Sequence, residues 1–240
     1  IATMFFTKNI FAILAVYFIS WIVARLFFQI ITLRQEPLND KSDSGVIPAG
    51  IHLSLMSVFP LIVQQLDKIF LFHYLGAAEL AIYSFALAIP DQAKSAIKNL
   101  QALILPKFSL KTHSQINESI NKKFFRFILV LAVIALLYWI AAPFIYKIIF
   151  PKYLESAFYS QIYGISIIAI ALILPYSMLQ AKLATKELYH FNAWRSLAQI
   201  IFLFIGASYW GIMGVIVARI FSDFTSLGIL MILTKRFKKI

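Results

Sequence analysis

Seven apolar stretches, each long enough to cross a bilayer, leave this chain few folds; they run approximately over 9–32, 47–74, 79–106, 124–149, 158–182, 193–210 and 211–234. A helix needs about 20 predominantly apolar residues to span the hydrocarbon. Only Tyr209, Trp210 and Gly211 separate the last two stretches. Membrane barrels are built from strands of alternating hydrophobicity, and no such alternation runs through these segments. Helices satisfy every backbone donor and acceptor internally, which lipid demands. The sequence therefore predicts an all-α integral membrane protein with seven transmembrane helices.

Composition agrees. The chain is 61% hydrophobic and 13% charged, against about 25% charged in soluble domains, and its mean hydropathy is +0.84. A net charge of +12 raises nucleic acid as a partner. The basic residues flank apolar runs instead of lining one soluble face, so nucleic acid is not expected. The absence of cysteine excludes disulfides, thiol catalysis and thiolate-bound metal. His52, His73, His113 and His190 lie in four segments without metal-ligand spacing. H-E-x-x-H, G-x-S-x-G and P-loop motifs are all missing. No catalytic residue, metal or cofactor is expected, and an enzyme would need a larger outer loop for its acid or base. The chain opens on Ile1 without a signal-peptide pattern and reads as a fragment or a processed chain.

Charge fixes an expected direction. One side would hold Arg34, Lys41, Lys107, Lys111, Lys122, Lys123, Arg126, Lys182, Lys186, Arg195, Lys235, Arg236, Lys238 and Lys239. The other holds Lys147 and Lys152, with Lys8 before the first span. The positive-inside rule puts the rich side in the cytoplasm. The polar run 33–46, LRQEPLNDKSDSGV, reads as a linker between one helix (1–32) and a six-helix unit (47–234), followed by a basic tail, 235–240. In 107–123, Ile116, Ile120 and Phe124 recur every four residues. That spacing suits an interfacial helix, with a solvated loop as the alternative. Trp139, Tyr146, Tyr153, Tyr159, Tyr209 and Trp210 sit near span ends, as an interfacial aromatic belt would.

Charges inside the spans are costly, about 2.5–3.5 kcal/mol each even on the lenient insertion scale. Asp91, Lys94, Ser95, Lys98 and Gln101 recur at three and four residues and form one polar stripe, with Pro90 just before them to loosen the helix. One acid cannot neutralise two lysines, so the stripe predicts a water-filled cavity in which Lys94, Lys98 and Gln101 bind an anion. The competing reading is an Asp91–Lys94 pair with a snorkelling Lys98. Asp67, beside Gln64, Gln65 and Lys68, reads as a partner for a cation from another span, as a proton or sodium site, or as an interfacial cap. Arg219 and Asp223, four apart, read as a structural pair on one face. Arg25, alone in the first span, is either a substrate-binding residue or a snorkelling anchor.

The run DKIFLFHYLGAAELAIYSFALAIP, Asp67 to Pro90, carries Asp67–Lys68–Ile69, Leu75–Gly76 and Tyr83–Ser84. It resembles the signature of the polysaccharide-biosynthesis proteins, the oligosaccharide (O-antigen-type) flippases of the multidrug/oligosaccharidyl-lipid/polysaccharide exporter superfamily. LILPKFS, Leu103 to Ser109, and FPKYLESA, Phe150 to Ala157, are similar to two further stretches of that family. The likeness covers 47–235, departs at Ala81 where the family has Gly, and lacks five helices of the N-terminal lobe. It implies a two-lobed transporter of the bacterial cytoplasmic membrane, of which this chain is the C-terminal lobe preceded by one helix.

What the resemblance further implies is a function. A polyprenyl-pyrophosphate-linked oligosaccharide would move between leaflets for surface polysaccharide or lipopolysaccharide synthesis, by alternating access around the cationic cavity. Lys94 and Lys98 would hold pyrophosphate or acidic sugars, and Asp67 or Asp91 would couple an ion. The partners are membrane lipid and the missing N-terminal lobe. The alternatives are a cation-coupled multidrug or small-molecule exporter of the same superfamily, and a non-transporting fragment.

Overall fold

A computed structural model describes residues 9–35, 46–99, 101, 113–182 and 184–237. They are almost wholly helical, with no strand among the described residues. The helices are α1 (Ile10–Gln35), α2 (Val46–Val63), α3 (Leu66–Leu75), α4 (Ala77–Lys98), α5 (His113–Ile149), α6 (Glu155–Gly164), α7 (Ile173–Ala181) and α8 (Thr185–Phe237). A short 3₁₀ turn, Pro151–Tyr153, precedes α6, and an eight-residue 3₁₀ segment, Ile165–Leu172, joins α6 to α7. The chain divides into two compact units, Ile1–Ile47 and Pro48–Ile240.

Among the described residues, five helical stretches are long and apolar enough to cross a membrane: Phe11–Gln35, Gly50–Leu75, Phe124–Ile149, Glu155–Ala181 and Thr185–Thr234. Length and composition therefore mark a membrane protein. The described part of the expected span 79–106 is not among the five. Its helix, α4, carries Glu79, Asp91, Lys94 and Lys98, and that charge makes it less apolar than the five. The expected spans 193–210 and 211–234 are two arms of α8, which begins earlier than read, at Thr185. The helix 113–123 prolongs the span that follows it, without a separate interfacial element there; 102–112 and the linker residues 36–45 lie outside the described residues.

α2 runs through Pro60 unbroken and ends at Gln64–Gln65, where Gln64 N–H bonds Pro60 O at 3.0 Å but Gln65 N–H reaches back only three residues, to Ile62 O. Proline removes a donor and crowds the carbonyl four residues before it. Pro175 would crowd the Ala171 carbonyl in a continuous α-helix, so α7 starts afresh at Ile173 with Pro175 in its first turn, where no donor is needed. α4 runs through Pro90 unbroken. In α8, Trp210 (φ −134°, ψ 16°) and Gly211 (φ 54°, ψ −134°) leave helical geometry and turn the chain back. Glycine alone takes that positive φ cheaply. The two arms then meet backbone to backbone, because a Cβ on Gly206 would lie 2.3 Å from Gly214 O, and one on Gly214 1.9 Å from Gly206 O.

The second unit buries small residues such as Ala86, Ala142, Ala171, Ser156, Ser160 and Ser226 among larger ones such as Tyr83, Tyr163 and Phe191, while Phe144, Ile148 and Phe204 are exposed. Lipid offers no hydrophobic drive between helices, so close approach of small residues and interhelical hydrogen bonds hold them together. Tyr146 belongs to this interior. It is fully buried and donates to Phe85 O at 2.5 Å, which removes it from the expected aromatic belt. Tyr209 and Trp210 are exposed at the α8 turn, and Trp139 is exposed on α5. In the first unit α1 is exposed along its length, and its Ser20 and Thr32 hydroxyls bond to carbonyls of their own helix.

Candidate functional site

A cavity of about 260 Å³ opens within the second unit. Its wall comes from several elements, α7 through Ile173 and Tyr176 among them. The break after α2 presents Gln64; α4 and the residue beyond it present Asp91, Lys94, Lys98 and Gln101. The end of α6 and the 3₁₀ segment present Tyr163, Ser166, Ala169 and Leu172. The two arms of α8 bring Arg195 and Gln199, and Arg219, Ser222 and Asp223. Of the expected stripe, Asp91, Lys94, Lys98 and Gln101 line the hollow and Ser95 does not.

The charges form one connected network. Tyr163 is its hub: its hydroxyl donates to Asp91 Oδ1 at 2.8 Å and accepts from Lys94 Nζ at 2.8 Å. The Lys94 ammonium also bonds Asp223 Oδ2 at 3.1 Å, lies 3.8 Å from Asp91 and sits 4.1 Å from the centroid of the Tyr163 ring. Lys94 is only 8% exposed. Arg219 pairs with Asp67 and, at 3.7 Å, with Asp91. Tyr83 donates a short hydrogen bond to the same Asp67 carboxylate. Arg195 reaches Asp223 at 4.0 Å. Buried ions persist when they are paired and hydrogen-bonded, and every carboxylate here has two cations or a cation and a phenol.

Several expectations change. Arg219 and Asp223 are not paired with each other within 4.0 Å; each takes partners from other elements, Asp67 and Asp91 for one, Lys94 and Arg195 for the other. Four-residue spacing put them on one face, but that face meets opposite charges, and the interhelical pairs satisfy more buried groups. Asp67 is a partner for a cation from another span, as one of its readings held. At 2% exposure it is absent from the cavity wall, sealed behind Tyr83 and Arg219. Asp91 does line the cavity and is the more open acid, its side chain 40% exposed. Arg25 belongs to the first unit, where its guanidinium lies 4.0 Å over the Trp21 ring; the cavity is built from residues of the second unit alone.

Lys94 and Lys98 part company. Lys94 is held by Asp223, Asp91 and Tyr163, whereas Lys98 is exposed at the cavity and makes no ion pair within 4.0 Å among the described residues. Arg195, placed with the cytoplasmic lysines on sequence, joins it. Because α8 starts at Thr185, Arg195 stands about three turns inside the helix, with only a share of Asp223. The hollow thus carries two cations without a full counter-charge, on two different helices, α4 and α8. Gln101 donates to Gln180 Oε1 at 2.6 Å and Gln199 to Val63 O at 3.3 Å, and each side chain also carries an amide carbonyl, an acceptor by nature. The arrangement can hold an anionic group between ammonium and guanidinium, with amides beside it for hydroxyls. No cluster of three or more histidine, aspartate or glutamate residues suited to a metal ion occurs among the described residues. No protein-family model matches the chain, and comparison with curated proteins and with solved structures returns no match.

Proposed function

We propose that the second unit is the cargo-binding lobe of a membrane transporter, and that its cargo carries a negative charge. One observation carries this: Lys98 lines a 260 Å³ hollow inside an apolar helix bundle with no carboxylate within 4.0 Å among the described residues. Lys98 is exposed in that hollow, so its charge is open to water or to an anion, the settings in which an ion inside a helix bundle is tolerated. A cargo phosphate or pyrophosphate between Lys98 and Arg195 supplies that anion. The resemblance in 67–90 makes the cargo a polyprenyl-pyrophosphate-linked oligosaccharide, moved between leaflets of a bacterial cytoplasmic membrane with an N-terminal lobe opposite this one. The lipid tail stays in the bilayer while the headgroup passes through the hollow. Lys94 holds the network together and is a weaker candidate for direct contact than Lys98. The drug-exporter alternative needs a free carboxylate facing the cavity, and both candidates, Asp91 and Asp223, are already engaged by cations.

The test is display of surface polysaccharide in cells whose own gene is deleted and replaced by variants of the whole protein. Losing one charge-assisted contact weakens cargo binding by about 10- to 100-fold, so Lys98→Ala at unchanged protein level should nearly abolish display. Lys98→Arg should retain it. Undiminished display in Lys98→Ala would end this reading.

A further inference from the structure

Ile165–Leu172 is a 3₁₀ helix eight residues long, in a span otherwise α-helical. Such runs rarely exceed three or four residues, because their hydrogen bonds are poorer than those of the α-helix. Its sequence, ISIIAIAL, gives no reason of its own to avoid an α-helix in lipid. Constraints at its two ends hold it instead. Pro175 interrupts the α ladder downstream. Upstream, Tyr163 is pinned by its hydroxyl to Asp91 and Lys94, and Gly164 lies so close under the Tyr138 ring that a Cβ would stand 2.6 Å from it.

The winding decides what the cavity sees. Three residues per turn stack Tyr163, Ser166, Ala169 and Leu172 in one row, and all four line the hollow, with Ile170 and Ile173 beside them. In an α-helix Leu172, nine residues on, would point about 180° away from Tyr163. Rewinding eight residues from 3₁₀ to α shortens the span by about 4 Å and turns one end against the other by about 160°. Tyr163 cannot keep its two hydrogen bonds through that turn while α7 keeps its packing on α8. The segment is apolar apart from Ser166, so rewinding strips no charge of its partner.

We infer that Ile165–Leu172 is a convertible wall of the cavity, held in its 3₁₀ form by the Tyr163 hydroxyl and rewound to α when the Asp91–Tyr163–Lys94 bonds let go. An anion competing for Lys94 is one way to release them, and that clause alone rests on the anionic-cargo reading. Conversion withdraws Ala169 and Leu172 from the wall and alters the hollow on that side, with no separate lid.

The chain has no cysteine of its own, so spin labels on cysteines at positions 158 and 181 report the length of this span in the whole protein in lipid nanodiscs. Tyr163→Phe removes the pin and Pro175→Ala removes the downstream block; each should add a population shorter by about 4 Å. Inorganic pyrophosphate added to the labelled parent, which carries only the two cysteines, should do the same. Identical distance distributions in the parent, Tyr163→Phe and Pro175→Ala would overturn the inference, and Pro175→Ala decides it even if Tyr163→Phe fails to fold. Shortening in the variants without a response to pyrophosphate upholds the convertible wall and counts against the anionic cargo. Pyrophosphate binding by calorimetry, with identical distances in the parent and both variants, upholds the anionic cargo and overturns the convertible wall.

Discussion

Asp67 and Arg219 show how partnership, more than position, sets the worth of a buried charge. The pair is buried, with Tyr83 as a third member. Removing one partner leaves an uncompensated ion, which costs about 3–5 kcal/mol, whereas replacing both with neutral groups of similar volume costs much less. Arg219→Leu alone should therefore lower the melting temperature in detergent sharply, and Asp67→Leu combined with Arg219→Leu should recover much of the loss. Additive melting shifts in the double variant would show that the two residues act independently. This pairing was only half visible in the sequence. The presence of ions in the spans was plain, but Lys94 and Asp67 find Asp223 and Arg219 129 and 152 residues away, and helical spacing speaks only of neighbours. Tyr163 was missed for the same reason: a tyrosine in a span reads as an ordinary apolar position until three charged groups are seen around it.

At the scale of elements, the sequence located apolar runs well and their interruptions less well. The stripe from Asp91 to Gln101 was legible because it sits on one helix. The start of α8 was not, since Lys186 and Glu187 look like loop residues; placing the helix start at 193 instead of 185 moved Arg195 out of the cavity. The 3₁₀ segment left one trace, Pro175, which could have flagged it. The α8 hairpin makes a sharp demand on side-chain size. Gly206→Ala and Gly214→Ala each insert a methyl against backbone that cannot swing aside, and overpacking of this kind costs about 1–3 kcal/mol. Both should be less stable to heat in detergent than the parent. Gly228→Ala, where nothing lies within 4 Å, should be indistinguishable from it. Equal melting temperatures for all three would mean the arms are not in contact.

For the whole molecule, the basic residues provide the test of orientation. If the lysine-rich ends face the cytoplasm, a reporter fused after Lys239 should be active only in a form that matures there, and alkaline carbonate should leave the protein in the membrane pellet. A reporter active on the outer face would reverse the topology and with it the direction of transport. Membrane character was the most legible property of all, because it depends on composition summed over hundreds of residues and not on any single contact. The number of crossings was less so: α4 gives up apolarity to serve the cavity, and the helix that matters most to the site is the one that hydropathy passes over.

The 152 residues between Asp67 and Arg219 also bear on how the protein is made. On the ribosome the acid enters the bilayer long before its guanidinium partner exists. Until the second arm of α8 emerges, Asp67 and Lys94 lack their later counter-ions and must stay near water or a helper protein. A chain stopped before residue 211 would hold these groups orphaned, and quality-control proteases should clear it quickly, whereas one ending after 237 should persist.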